Sequence, residues 1–312
     1  MRLVDDLHAE LLIEKTRTLP DEDVTGSFIV LSMGIFVEAL NLAAAHNRLV
    51  LDDEIVQPLA SFSGDALRGH LGPMIPFARL ALRSSPDAVP EFPLDCLRAR
   101  HTSRLPYRRE PVSPDVATRL AALASASHQC YAQITDEARI ERLLALNVEA
   151  VFEDLNNPAY RNELRGWLRY SEREAEQQGD GLDARCMNVW PIELWSAFNV
   201  PAMLRWPLIG RLFRRRYRAQ IGPVTTMGFL CGSFWDPDEA YRTGRFLLRF
   251  WLACTQLGYC IHPYGNLVTN RPIATRVQAE TGLADVWLAF KIGRSAPPPA
   301  SRRRKLEEIL LA

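Results

Sequence analysis

The sequence predicts a chain of both helices and strands, folded as two related halves. Three observations lead there. Capped helical segments with apolar residues at a 3.6-residue period are separated by turn residues. Two short apolar runs, Val224–Leu230 and Val286–Ile292, have the length and composition of strands. The helical stretch MGIFVEALNLA (33–43) recurs as TGRFLLRFWLA (243–253) at an offset of 210, pairing Gly34 with Gly244 and Phe36 with Phe246. In the same register Val37 meets Leu247, Leu40 meets Phe250, Leu42 meets Leu252 and Ala43 meets Ala253. A repeat of this length is not a solenoid, and it fits a fused pseudo-dimer.

The elements follow in order. Residues 28–48 form a helix that is apolar almost all round and therefore central. Residues 49–95 are mixed, broken by Pro58, Pro73, Pro76, Pro86, Pro90 and Pro93. Ser113 caps a helix to Ser127 with Pro114 at its first position. Thr135 caps the next helix, whose stripe is Ile140, Leu143, Leu144, Val148, Val151 and Phe152, and Asn157–Pro158 stops it. A helix over 159–177 ends at Gly179. Asp236, Pro237 and Glu239 open a helix that closes at Gly258. Ile261–Asn266 reads as a loop and Thr269–Thr281 as a helix ended by Gly282. A Pro-rich turn (297–299) and a basic tail follow the last strand.

Residues 185–218 stand apart. Trp190, Trp195 and Trp206 lie among Pro191, Pro201 and Pro207, and Arg205, Arg211, Arg214, Arg215, Arg216 and Arg218 interleave with apolar residues. The segment reads as an amphipathic surface helix, as a lid over a ligand pocket, or as a docking surface for an anionic partner or membrane interface. A lid-like insertion is the favoured reading, and 190–218 also offers a face to a second copy or a partner protein.

Composition narrows the function. The chain has 312 residues, 47% apolar and 24% charged, which excludes wholesale disorder. Lys+Arg and Asp+Glu both number 37, so no general attraction to nucleic acid exists. The six cysteines form no CxxC pair and suit reduced thiols in a cytoplasmic protein. The six histidines never fall at metal-ligand spacing, so no metal is expected. The N-terminus has no secretory apolar region. The apolar run Phe28–Ala45 carries Glu38 and Asn41, which favours a buried helix over a transmembrane segment. GxGxxG, GxxxxGK[ST], GxSxG and HExxH are all absent, so side-chain chemistry has little support and a bound cofactor is the natural source of reactivity.

Three blocks resemble the nitroreductase superfamily. RARHTSRLPYRREPVSPDVATRLAALA (98–124) is similar to its opening motif, a basic R-x-[ST]-x-[RK] cluster followed by an extended linker and a helix. The helix 239–258 with YCIHPYG (259–265) resembles the central helix and its loop. WLAFKIGRSAPPPASRRRKLEEILL (287–311) resembles the closing block. Residues 11–49 resemble the first half of tandem, single-chain members. The resemblance implies an α+β fold, a mostly antiparallel sheet wrapped by helices, as a tandem pseudo-dimer. It divides the chain into a truncated first half, 1–95, and a second half, 96–312, with the insertion at about 185–218.

The resemblance further implies an FMN-binding, NAD(P)H-dependent oxidoreductase acting on a small-molecule substrate. It places Arg100, Thr102 and Arg104 with Arg302, Arg303 and Arg304 at the FMN phosphate, His101 among the cofactor-binding residues, and Pro263, Tyr264 and Gly265 beside the flavin ring. Alternate positions in an extended segment would aim Arg100, Thr102 and Arg104 to one side, and Arg and Thr suit a phosphate dianion. His262 reads as structural. The P-S-x-x-N-x-Q-P-W-like segment that covers the ring in relatives is not found. That leaves an alternative: a flavin- or anion-binding or partner-docking protein with little turnover.

Overall fold

The protein is described here by a computed structural model covering residues 1–311. In chain order it runs β1 (Arg2–Leu3), β2 (His8–Glu14), α1 (Ser27–Ala45), β3 (Leu49–Ile55), α2 (Gly64–Gly69), β4 (Met74–Ser84) and α3 (Leu94–Ala99). There follow α4 (Pro114–Ala126), β5 (Cys130–Ile134), α5 (Glu137–Asn156), α6 (Pro158–Arg165), β6 (Leu168–Arg169), α7 (Glu172–Gln178) and β7 (Leu182–Asp183). Then come α8 (Pro191–Asn199), α9 (Pro207–Ile221), β8 (Met227–Cys231), α10 (Pro237–Gln256), β9 (Cys260–Pro263), α11 (Asn266–Thr269), α12 (Arg271–Thr281), β10 (Val286–Gly293) and α13 (Leu306–Ile309). The class is α+β: both main sheets are antiparallel and accompanied by helices.

The chain divides into two compact units. Among the described residues the first holds 1–100, 233–253 and 304–311, and the second 101–232 and 254–303. The expected boundary at 95/96 is therefore crossed again. The reason is packing: Leu248 and Leu252 of α10 share a buried cluster with Leu42 of α1 and with Phe92 and Cys96, so 233–253 belongs with the first unit. The final residues join it through Leu311 N, which donates to Met1 O at 2.8 Å, and through the Arg304–Glu14 ion pair.

Within the first unit the sheet order is β1-β2-β4-β3, and within the second it is β5-β8-β10-β9. Each sheet thus places the last strand of a strand–helix–strand–helix–strand run between the two earlier ones. The two sheets therefore share one strand order.

Helices α1 and α10 approach most closely at glycine. An added Cβ on Gly34 would lie 3.2 Å from Gly244 Cα, and one on Gly244 would lie 3.1 Å from Gly34 Cα. Each would also strike the other helix's backbone carbonyl, of Tyr241 and Leu31 respectively. Leu31 and Tyr241 are themselves 210 positions apart, so the contact is reciprocal in the manner of an isologous interface.

Glu38, fully buried on α1, takes Arg245 Nε at 2.8 Å and also pairs with Arg249. Arg245 continues to Asp53, whose other oxygen accepts from Tyr241 Oη. A buried carboxylate needs such partners, because stripping them costs about 3–5 kcal/mol. α1 is also the one helix among the described residues long and apolar enough to cross a membrane by length and composition.

Several expected boundaries shift. Asp136, not Thr135, caps α5, accepting from Arg139 N at 2.8 Å. The single helix expected over 159–177 is broken into α6, β6 and α7, because Gly166 and Trp167 close α6 and 168–169 pair with β7. The first part of the loop expected over Ile261–Asn266 belongs to strand β9, Cys260–Pro263, paired with β10. The helix expected over Thr269–Thr281 is α12, Arg271–Thr281, and a short helix, α11, precedes it at Asn266–Thr269.

Candidate functional site

The second unit gathers buried cations around one place. Residues 101–108 run as an extended segment, bridging Thr102 to Ile261 and Tyr107 to Ser295, with Arg108 N donating to Arg294 O at 2.8 Å. This holds Arg104 largely out of solvent. Burial pushes its guanidinium below its ordinary value, with Tyr217, Cys186 and Tyr107 opposing. Its hydrogen bond to Cys186 O is long, 3.5 Å, and no carboxylate pairs with it among the described residues.

Lys291 is a second such cation. Strand β10 reads VWLAFKIG and its burial is almost complete, so a lysine at this position must be satisfied internally. Lys291 Nζ donates to Leu105 O at 3.2 Å and Ile221 O at 3.1 Å, and sits 4.2 Å from the centre of the Tyr107 ring. Burial, with Arg104 adding to it, lowers its pKa to about 8.

Two polar atoms nearby lack partners. His262 Nδ1 and Tyr264 Oη are buried and unbonded, and their rings lie 5.0 Å apart. Burial first, then Arg104 and Lys291, hold His262 well below its ordinary value, so it is neutral. Burial, with Tyr217 adding to it, raises Tyr264 well above its own, with Arg218 opposing. Tyr217 is itself anchored by Asn147, whose Nδ2 donates to its hydroxyl at 3.3 Å. Arg104, Lys291, neutral His262 and the Tyr264 hydroxyl therefore present positive charge and unused donors, with no anion to meet them.

The expected phosphate cluster is divided. Arg303 and Arg104 both act on the Cys186 thiol, which burial and Asp183 push up while Arg185, Arg104 and Arg303 oppose. Arg303 is exposed and has no carboxylate partner among the described residues. Arg302 is committed to Glu176 at 2.7 Å and Glu172 at 3.3 Å. Arg304 pairs with Glu14 at 3.3 Å, and the Arg100 guanidinium lies 4.7 Å from the centre of the Trp251 ring; these two residues belong to the first unit. Thr102 is partly exposed, its backbone bridged to Ile261.

His101 has a different neighbour: its Nε2 lies 3.5 Å from Cys260 Sγ. Ser295 Oγ lies 3.7 Å from the same sulfur and 2.8 Å from Ser103 Oγ, within reach of either. Although burial works against it, these hydrogen bonds draw the Cys260 thiol below its ordinary value. A thiol drawn down in this way ionises more readily than a fully buried one.

In the 263–265 loop, Pro263 pairs with Phe290 and Tyr264 N donates to Ala289 O at 2.7 Å. Tyr264 is only 3% exposed, so it is a packed residue rather than an open stacking platform. A Cβ added at Gly265 would meet nothing within 4 Å, so space is open beside it. Lys291, Tyr217 and Cys186 were not nominated from sequence. Lys291 carried a usable signal, a lone cation inside an apolar strand; the other two are brought in by tertiary packing alone.

No protein-family model matches the chain, and no curated protein matches it. Among solved structures, the FMN-dependent nitroreductase NfnB from Mycobacterium smegmatis, in complex with NADPH, is similar at 16% identity and a TM-score of 0.40, over 69% of this chain and 95% of that one. The FMN- and NADPH-dependent nitroreductase NfnB from Sphigopyxis sp. strain HMH gives 18% identity and 0.39, over 69% and 96%. A BluB-like flavoprotein from Clostridium difficile gives 12% and 0.40, over 69% and 96%. The structural neighbours are thus flavin-dependent nitroreductases and a related flavoprotein, at identities and TM-scores too low to carry an argument about activity.

Proposed function

We propose that this protein is an FMN-binding, NAD(P)H-dependent oxidoreductase of nitroreductase type, two tandem halves in one chain, acting on a small-molecule electron acceptor. The observation that carries the reading is the buried group of Arg104, Lys291, His262 and Tyr264, which has cations and free donors but no carboxylate. Buried cations without a counter-charge are unfavourable, and a bound anion relieves them. A phosphate dianion fits: Arg offers paired, charge-assisted donors, and the tyrosine hydroxyl adds a neutral one.

When bound, FMN supplies the hydride and electron transfer that the side chains of this chain do not offer. The chain's own part is to bind and orient. Arg104 and Arg303 hold the phosphate, and Lys291 strengthens the positive field from behind, fixed by two backbone carbonyls. Neutral His262 has an unused ring nitrogen for the ligand, and the open space at Gly265 lets a planar ring approach the backbone. The shared strand order of the two units and the reciprocal Gly34–Gly244 contact support the tandem reading.

One set of observations favours the alternative, binding with little turnover. Arg302 and Arg304 are committed to carboxylates and Arg100 to an indole, which leaves Arg104 and Arg303 of the five phosphate arginines expected. Titration of the protein with FMN and with riboflavin, followed by flavin fluorescence, tests the site. Tighter binding of FMN, with the preference abolished in Arg104→Ala, is the expected result. Equal binding of both flavins refutes the phosphate assignment. Reduction of the bound flavin by NAD(P)H separates turnover from binding alone.

A further inference from the structure

The most unusual surface of the molecule lies in the second unit, on α8, the turn after it and α9. Trp190, Ile192, Trp195, Val200, Trp206, Leu208 and Leu212 are exposed there, with Leu208 at 79% and Trp190 and Ile192 at 66%. Three of the four exposed tryptophans among the described residues sit on these 23 positions. The buried side of the same segment is ordinary core: Leu204 packs with Val148, Phe152 and Leu155, and Leu194 with Leu168 and Ala184. The exposed apolar residues are therefore not left over from poor packing. They form a second apolar face, far more than a single scattered surface residue.

Charge is equally uneven. Residues 190–221 contain six arginines and one carboxylate, Glu193, in a chain whose net charge is zero. Glu193 is already paired with Arg216, Arg218 pairs with Glu141, and Arg214 covers the Phe152 ring. Arg205, Arg211 and Arg215 are exposed and have no carboxylate partner among the described residues. On α9 the exposed positions are Pro207, Leu208, Arg211, Leu212, Arg215, Arg216 and Ala219, and Leu208, Arg211, Leu212 and Arg215 fall at helical spacing on one face.

We propose that this face docks the protein on an anionic phospholipid bilayer. Tryptophan rings suit the headgroup boundary, aliphatic side chains the outer acyl region, and arginines the phosphates between them. Each cation near an anionic leaflet strengthens binding by about fivefold, and the attraction fades with salt. A second copy is a poorer occupant, because a twofold contact would set this net positive face against itself. Nucleic acid satisfies the arginines but not Ile192, Val200, Leu208 and Leu212. The proposal is independent of the flavin assignment, and its failure leaves that assignment untouched.

The test is sedimentation of the full-length protein with vesicles of phosphatidylcholine alone and of phosphatidylcholine mixed with phosphatidylglycerol, at low and high NaCl. Binding to the anionic vesicles only, released by salt, with a blue-shifted tryptophan emission, is expected. The combined Arg205→Gln, Arg211→Gln, Arg215→Gln variant loses roughly a hundredfold in partitioning. Trp206→Ala with Leu208→Ala binds the anionic vesicles more weakly and shows a smaller blue shift, while its circular dichroism is unchanged. Brominated lipids give a readout on the unaltered chain: they quench its tryptophans if the face is inserted. Equal partitioning to both vesicles, no partitioning, or no quenching overturns the proposal. So does a vesicle-free dimer that the same substitutions dissociate, which would place a second copy on the face.

Discussion

Replacing Gly34 by alanine inserts one methyl group where two helices touch backbone to backbone. The new Cβ would stand 2.2 Å from the carbonyl oxygen of Tyr241 and 3.2 Å from Gly244 Cα. Ordinary contact begins near 3.4 Å, so the helices must separate by roughly 1 Å, and neither obstacle is a side chain that can rotate away. Such overpacking costs about 1–3 kcal/mol. Alanine also improves helix propensity by about 1 kcal/mol, and the steric term wins only if the crossing is as close as described. Gly244→Ala meets Leu31 O in the same way and should cost a similar amount. The double substitution should cost less than the sum, because helices separated once accommodate the second methyl group. Gly69→Ala is the control: a Cβ there meets nothing within 4 Å, so the substitution should be neutral or stabilising. Urea denaturation of the four variants and the parent decides the matter. A Gly34→Ala protein as stable as the parent refutes the close, reciprocal crossing and removes its support for the tandem reading.

Three more outcomes follow from the second unit. Arg104→Ala should weaken FMN by about 1.5–3 kcal/mol in a fluorescence titration, the worth of a charge-assisted hydrogen bond, and unchanged affinity removes Arg104 from the site. Lys291 titrates at about 8 in the fold and near 10.5 in the unfolded chain. Between those values the unfolded chain alone keeps the proton, so stability should rise with pH by about 3 kcal/mol in total. Lys291→Met should flatten that rise relative to the parent in urea melts across the window; parallel curves would show that Lys291 is not held at depressed pKa. Cys260 should react with iodoacetamide near neutral pH faster than buried Cys96, Cys231 and Cys254, and His101→Ala should slow it; mass-spectrometric mapping of the alkylated cysteine reads both.

Local signals were legible in the sequence where a short stretch carries its own chemistry. Ser113 with Pro114, Asn157 with Pro158, and Gly258 and Gly282 at positive φ bound their helices as their types dictate. The α1–α10 similarity was visible because a close helix contact leaves glycine and apolar residues at matched spacing. The first sheet was hidden. β3 reads LVLDDEI, and its acids look like loop residues until Asp52 meets Arg83 and Glu54 meets Arg79 across the strand pair. Pro76 lies at a register shift between β2 and β4, which masks the strand further. At the site, Arg104, expected from the sequence at a phosphate, is an arginine held largely out of solvent with no carboxylate partner among the described residues. Arg100, Arg302 and Arg304 were indistinguishable from it in sequence, since partners such as Trp251, Glu176 and Glu14 come from distant positions. Lys291, Tyr217 and Cys186 converge only through tertiary folding.

The central claim is that this chain holds a flavin that NAD(P)H can reduce. The direct measurement is an anaerobic absorption spectrum of the protein after incubation with FMN and removal of free ligand, before and after NADH or NADPH. The account predicts a flavin band near ~450 nm that stays with the protein and bleaches when reductant is added. A colourless protein after gel filtration contradicts it, and a retained band that does not bleach leaves a binding protein in place of an oxidoreductase.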